Sequence, residues 1–189
     1  PIELLARMKE WLLNDQEWLQ ILPLAQTRVE KLSDIIPMAA FFFADQVSYD
    51  PAALVPKKVV IEEGKTPADL AEVTDLTPGF QIARLIRIAL WEFEKVRQWN
   101  AETVQGVLTR LAEKEGVKMR DMMPAFFTAV TGSPTSVPLF DAMAILGSDM
   151  SRRRLNTALE TLATAGHVLS GKKLKALEGY YATAYGVND

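Results

Sequence analysis

Apolar residues recur at three- and four-residue intervals along most of this chain of 189 residues, and this spacing constrains the fold more than any other feature. The spacing places apolar side chains on one face of an α-helix, so that each helix must pack against another element. The widest apolar stripe consists of Ile82, Leu85, Ile86, Ala89, Leu90 and Phe93. The sequence therefore predicts an all-α protein in which two small helical lobes form a helix bundle.

Capping residues, prolines and glycines set the expected helix boundaries. Asp15 and Asn100 are suitable N-caps, and Thr77-Pro78 places a proline at the first helical position. Further helices are expected over residues 2–13, over 26–40 with a break at Pro37, from Thr66-Pro67, and over the last residues after Lys172; the helix from Asn100 should end at Gly116, and residues 59–65 could form a short strand.

Proline and turn residues concentrate between Phe43 and Pro78, which suggests a boundary there. We expect an N-terminal lobe over residues 1–76, a C-terminal lobe over 77–162, and an extra C-terminal helix or tail over 163–189. The net charge is −6 for residues 1–76 and +3 for the remainder. This asymmetry leaves room for a polyanion on the second half, although ordinary scatter of surface charge would produce it as well.

Residues for independent catalysis are scarce. There are no cysteines, which excludes disulfides, thiolate zinc sites and cysteine nucleophiles, and His167 is the one histidine. The segment from Gly166 to Lys173 approaches a P-loop pattern but has lysine where serine or threonine is required. We expect no catalytic residue, metal site or cofactor in this chain. The absence of a long apolar run predicts a cytoplasmic protein without a membrane partner, which we expect to be a monomer.

The segment over residues 124–162 predicts a helix, a Gly-Ser-Pro turn, a second helix, a glycine stop and a third helix. Arg152, Arg153 and Arg154 lie near the start of the third helix, where the helix dipole disfavours positive charge. A polyanionic ligand would explain them, and Lys118 and Arg120 are further cations nearby in the sequence.

Phe127 and Phe140 could serve as platforms on which unstacked RNA bases lie. Phe126 and Phe127 are adjacent, so at least one of them should face away from the core of a helical segment. Packing of these rings between helices is the alternative, and the residues alone favour it.

Four segments occur in an order and spacing that identify a family. They are residues 22–43, which end in Phe41-Phe42-Phe43 and are followed by Tyr49-Asp50; Trp99 to Gly116; Ala129-Val130-Thr131-Gly132; and Leu146-Gly147 with Arg154-Leu155. Together they resemble the all-helical anticodon-binding region at the C-terminal end of bacterial-type glutamyl-tRNA synthetases. The resemblance covers roughly residues 15–162.

The resemblance implies a set of tRNA-binding residues. Ser136, Val137, Leu139 and Phe140 occupy positions at which the family contacts anticodon bases. Phe127 stands where the family commonly has an arginine that contacts the anticodon, so a base could stack there but the hydrogen bonds and charge of the arginine are lost. Arg28 lies in the region where family members differ in reading the third base, and Arg152, Arg153, Arg154, Arg120 and Lys118 would hold phosphates.

The function implied by the resemblance is recognition of a tRNA anticodon for a ligase that attaches glutamate to tRNA. The parent enzyme would use ATP and Mg²⁺ in a catalytic domain whose HIGH-like and KMSKS-like motifs this chain lacks. The expected partner is glutamate tRNA, joined by glutamine tRNA if the parent enzyme is non-discriminating. A helical protein-interaction module without RNA binding remains the alternative, because the first half is acidic and the family arginine is missing at Phe127.

Overall fold

The computed structural model describes residue 3 and residues 15–26, 28–59 and 77–186. Helices form the regular secondary structure of this part of the chain. They are α1 (Asp15–Gln26), α2 (Ile35–Ala39), α3 (Pro78–Glu94), α4 (Ala101–Lys114), α5 (Met119–Thr131), α6 (Leu139–Thr164) and α7 (Lys172–Tyr185), with short 3-10 turns at Leu32–Asp34, Ala40–Phe43 and Pro51–Leu54. The described residues contain no strand, which confirms the all-α prediction.

Local capping explains the predicted helix ends. Pro78 is the first residue of α3. An amide N–H at this position would have no acceptor within the helix, so the absence of one in proline costs no hydrogen bond. The Asn100 side chain accepts a hydrogen bond from the Thr103 amide at 2.9 Å, while the Thr103 hydroxyl accepts from the Asn100 amide at 3.1 Å. This reciprocal pair stabilises the start of α4. Gly116, with a φ of 62°, follows the end of α4 as predicted.

The prediction of one helical stretch over residues 26–40 was wrong in part. The chain instead turns after α1, passes through a 3-10 turn and forms the five-residue α2. Pro37 is the third residue of α2, where a helix does not yet need an amide donor. The predicted helix over 2–13, apart from Glu3, the strand over 59–65, apart from Val59, and the helix start at Thr66-Pro67 lie outside the described residues.

The main core is built around α3, which is buried on nearly all sides by α4, α5 and α6. The largest fully buried apolar side chains of this core include Phe93, Phe126, Ile82, Leu85, Ile86, Ile88, Leu108 and Leu111. Leu177 and Tyr181 of α7 belong to the same core. The extra C-terminal helix therefore packs on the rest of the protein.

A smaller apolar cluster joins the N-terminal segment to the start of α6. Ala25 and Phe41 are buried there against Val137 and Ala142. The two halves of the chain are thus in direct contact, while the boundaries expected for the lobes stay a prediction.

A buried polar network attaches α7 to α3 and α4. Glu115 is buried and pairs with the Arg84 guanidinium through Oε2. Its Oε1 accepts hydrogen bonds from the hydroxyls of Tyr180 at 2.9 Å and Tyr185 at 2.7 Å. The Tyr181 hydroxyl donates to Glu92 at 2.8 Å. Because a buried carboxylate needs partners for its charge and its lone pairs, α7 completes the environment of Glu115.

Candidate nucleic-acid interface

The connection between α5 and α6 is held in place by Gly132. This residue ends α5 in the left-handed conformation, with a φ of 83°. A Cβ atom at this position would lie 3.2 Å from the Ser48 carbonyl oxygen and 3.3 Å from the Val47 Cβ. The turn therefore packs tightly against residues 47–48, and a side chain at position 132 would be strained in both backbone and packing.

Most of the side chains predicted to contact bases in this turn are buried. Val137 and Leu139 are 0% and 2% exposed, and Ser136 is 8% exposed. Pro134 and Thr135 are exposed between them and the end of α5. The turn thus differs from the expectation, because Ser136, Val137 and Leu139 anchor it while Pro134, Thr135 and backbone groups form its surface.

Arg28 lies at the edge of this turn. Its Nη1 donates a hydrogen bond to the Ser136 carbonyl at 2.5 Å, across 108 residues of sequence. Arg28 is otherwise exposed, and the neighbouring Val29 packs on the smaller apolar cluster. The structure therefore brings together two predicted site elements, the turn and the Arg28 cation, whose relative position could not be predicted from the sequence.

The three consecutive arginines do not form one patch. Consecutive residues of an α-helix point about 100° apart. Arg152 makes an ion pair with Glu94 of α3, with 2.9 Å between Nη2 and Oε1, whereas Arg153 is exposed and Arg154 is buried. α6 itself breaks at Gly147, with φ 80° and ψ 168°, which agrees with the predicted glycine stop.

Arg154 differs most from the expected phosphate-binding surface residue. It is 3% exposed, and its guanidinium donates to the carbonyls of Val130 at 2.6 Å, Phe41 at 2.6 Å and Ala44 at 2.5 Å. Burial lowers the pKa of Arg154, and the nearby negative charge of Asp45 partly offsets this decrease. The side chain joins α5 and α6 to the Phe-rich connection. Its spacing of four residues from buried Ala158 was a signal that it lies on the core face of α6.

Phe127 and Phe140 are half-buried, and both pack against the main core. Phe126 is fully buried and Phe127 only partly, so the two adjacent rings differ in burial but neither faces wholly away from the core. Each ring therefore has a packing role and keeps part of its surface exposed.

Lys118 and Arg120 are exposed at the start of α5. The rise of an α-helix places them about 20 Å along α5 from Gly132. Arg120 lies 3.6 Å from Asp121, from Nε to Oδ1. The structure therefore does not bring these two cations to the turn.

A turn with accessible backbone, a cation fixed beside it and partly exposed aromatic rings is an arrangement suited to splayed RNA bases. Comparison with known proteins decides the family: the model of the anticodon binding domain family matches residues 3–159. The chain belongs to the anticodon binding domain family.

Relatives of this anticodon-binding domain include glutamate–tRNA ligases of several bacteria, which confirms the resemblance found in the sequence. The ligase of Stutzerimonas stutzeri (strain A1501) is 38% identical over 166 residues, covering 87% of this chain and 30% of the relative. Those of Pseudomonas paraeruginosa (strain DSM 24068 / PA7) and Pseudomonas fluorescens (strain Pf0-1) are 38% and 34% identical, covering 86% and 85% of this chain and 29% of each relative. The chain spans about 30% of the length of these relatives.

The described part of the anticodon-binding domain contains no group of three or more His, Cys, Asp or Glu side chains placed to hold a metal ion. His167 packs edge-on against Phe80, with 5.6 Å between ring centroids. None of the described helices is long and apolar enough to cross a membrane.

Proposed function

We propose that this domain recognises the anticodon of a glutamate-accepting tRNA as one part of a longer glutamate–tRNA ligase. The hydrogen bond from Arg28 to the Ser136 carbonyl carries the proposal. It fixes a cation at the edge of the very turn to which the family resemblance assigns the anticodon bases. Family membership makes tRNA the ligand to test first.

The turn would read bases mainly through its backbone. Its exposed surface consists of Pro134, Thr135 and the intervening peptide groups, which can bond the edges of unstacked bases. Arg28 uses one of its five N–H donors on Ser136, so the others are free to reach a base or a phosphate. Buried Val137 and Leu139 keep the turn rigid, which reduces the entropy lost on binding.

Phe127 changes how the middle of the anticodon would be held. A half-exposed ring can stack on any base, whereas an arginine adds charge and directed hydrogen bonds. We therefore infer weaker base selectivity at this position than in relatives that carry the arginine, which bears on whether glutamine tRNA is also accepted.

The domain would contribute binding, while ATP, Mg²⁺ and the attachment of glutamate would belong to parts of the longer ligase absent from this chain. Exposed Lys118 and Arg120, and Arg152 if its ion pair with Glu94 opens, would bind backbone phosphates along the anticodon arm. A translation role places the protein in the cytoplasm. The proposal treats the domain as acting within a monomer.

Binding of labelled tRNA transcripts to this chain tests the proposal. Glutamate tRNA should bind at least about tenfold more tightly than an unrelated tRNA at physiological salt, and changing its anticodon bases should remove that preference. Arg28→Ala should weaken binding of glutamate tRNA about tenfold. Arg97→Ala, which removes an exposed arginine from the α3–α4 connection, is the matched control. Equal binding of glutamate and unrelated tRNAs by the unaltered chain would refute the proposal.

A protein-interaction role is the second candidate, favoured by exposed apolar side chains on the N-terminal helices. Leu19 is 70% exposed and Ile36 is 62% exposed. Salt dependence separates the two functions, because RNA binding weakens steeply as salt rises and apolar docking does not. Leu19→Ser with Ile36→Ser should leave tRNA affinity unchanged if the apolar side chains serve a protein partner.

A further inference from the structure

A small cavity lies beside the Gly132 turn, between α6, the end of α5 and residues 45–49. Its volume is about 40 Å³, and the groups that line it include Asp45, Tyr49, Arg153 and Arg154. One water-sized group occupies 10–15 Å³ on this measure, so the cavity has room for more than one oxygen-sized group. The cavity is therefore large enough to receive a ligand atom and too small for a nucleoside.

Two hydrogen-bond donors at the cavity lack partners. The Nε–H of Arg154 is buried without a hydrogen bond, although its Nη atoms donate to the carbonyls of Val130, Phe41 and Ala44. The Tyr49 hydroxyl is buried near Thr161 without a hydrogen bond of good geometry. Unsatisfied buried donors are rare, and each one destabilises the folded state unless a water or ligand accepts its hydrogen bond. Both residues line the same cavity, so a group bound there is the nearest candidate to complete either donor.

The charge of the lining groups favours an anionic acceptor. The Arg154 guanidinium bonds neutral carbonyls and makes no ion pair with a described carboxylate. Arg153 adds an exposed positive charge at the same cavity, and Asp45 is the one carboxylate among its lining residues. The charged lining groups therefore sum to one positive charge, in a place partly shielded from solvent.

We propose that this cavity is a phosphate subsite, in which a non-bridging oxygen of the tRNA backbone accepts from Arg154 Nε and the Tyr49 hydroxyl while Arg153 pairs with the phosphate from outside. The proposal rests on the proposed function and extends it to a specific backbone contact. Gly132 packs directly on Val47 and Ser48, so the cavity adjoins the base-reading turn. Arg28 lies at the other end of that turn, at Ser136.

Two single substitutions test the subsite in tRNA-binding titrations. Arg153→Gln should weaken binding of all tRNAs about tenfold and reduce the slope of log affinity against log salt by about 1, as expected for the loss of one phosphate contact. Tyr49→Phe should weaken binding about threefold with an unchanged slope, because it removes a donor and no charge. In a purely structural site Tyr49→Phe would leave affinity unchanged, since it removes an unsatisfied polar group. Arg97→Gln is the control for loss of an exposed arginine.

A series of anticodon-arm RNAs, each with one neutral methylphosphonate linkage, locates the contact. One linkage should weaken binding to the unaltered chain and have no further effect on Arg153→Gln, because each change removes the same interaction. If every linkage weakens Arg153→Gln as much as the unaltered chain, the subsite is refuted even when tRNA selectivity is intact. If the unaltered chain does not distinguish glutamate tRNA from other tRNAs, the proposed function is refuted instead. The change in salt dependence caused by Arg153→Gln would then still report on the subsite.

Discussion

Replacing Glu115 with glutamine should destabilise the protein more than any conservative surface substitution. The side chains of Glu115 and Arg84 are 0% and 2% exposed, and they form an ion pair. Glutamine keeps an Oε1 that can accept from Tyr180 and Tyr185, which lie 2.9 Å and 2.7 Å from it in the native protein. It replaces Oε2 with an NH₂ group that faces the Arg84 donors. The substitution therefore removes both the negative charge and the acceptor that Arg84 uses, while the bonds to the two tyrosines can stay.

The expected loss follows from leaving Arg84 charged and buried. Removing one partner of a buried ion pair typically lowers the free energy of unfolding by about 3–5 kcal/mol. For a chain of this size that corresponds to a fall in Tm of roughly 6–20 °C. The Arg84 guanidinium retains a hydrogen bond from Nε to Gln81 at 3.1 Å, which places the loss toward the lower end of the range.

Urea unfolding followed by far-UV circular dichroism measures this loss. Glu92→Gln is the control, because Glu92 also binds a tyrosine of α7 but its salt-bridge partner Lys95 is 46% exposed, and it should cost about 1 kcal/mol or less. The double variant Arg84→Met with Glu115→Gln should recover part of the stability, because it removes the unpaired charge. A loss below about 1 kcal/mol for Glu115→Gln, or no recovery in the double variant, would show that Glu115 does not stabilise the buried charge of Arg84.

Three further predictions follow from other contacts. Arg154→Met should lower the free energy of unfolding by about 3 kcal/mol in urea titrations, because three carbonyls lose their donor, whereas the exposed Arg153→Met should change it by less than about 0.5 kcal/mol. Phe127→Arg, which introduces the arginine expected there from the resemblance, should tighten glutamate tRNA binding about tenfold in the same titrations used above, and an unchanged affinity would show that position 127 does not reach the anticodon. Burial raises the pKa of Tyr181 from 10.0 to about 12, so unfolded tyrosine ionises first and the free energy of unfolding should fall as pH rises from 10 to 12; Tyr181→Phe should show a smaller fall, and an equal fall would exclude Tyr181 as its source.

Local signals were sufficient to predict the helices but not their mutual contacts. The cap at Asn100, the proline at the first position of α3 and the glycines at 116, 132 and 147 follow from rules that act within a few residues. The stretch over 26–40 was predicted as helix because its apolar spacing is helical, yet the chain breaks there into short turns.

The site depends on contacts that no local pattern encodes. Arg28 and Ser136 are 108 residues apart, and their hydrogen bond exists because Ala25, Phe41 and Val137 pack in one cluster. Arg154 appeared to be a surface cation because charge in a sequence usually indicates exposure. Its position on the apolar face of α6 was the stronger signal, and the carbonyls of Phe41 and Ala44, more than 100 residues away, are what make its burial possible.

The dependence of Glu115 on α7 has a consequence for synthesis on the ribosome. Tyr180 and Tyr185 follow Glu115 by 65 and 70 residues, so α3 and α4 emerge long before the hydroxyls that complete this carboxylate. During that interval Glu115 must stay hydrated, because a carboxylate with unfilled lone pairs is disfavoured in an apolar environment. The surroundings of Glu115 can therefore be completed only after α7 has left the exit tunnel, so residues beyond the match at 159 finish this part of the core.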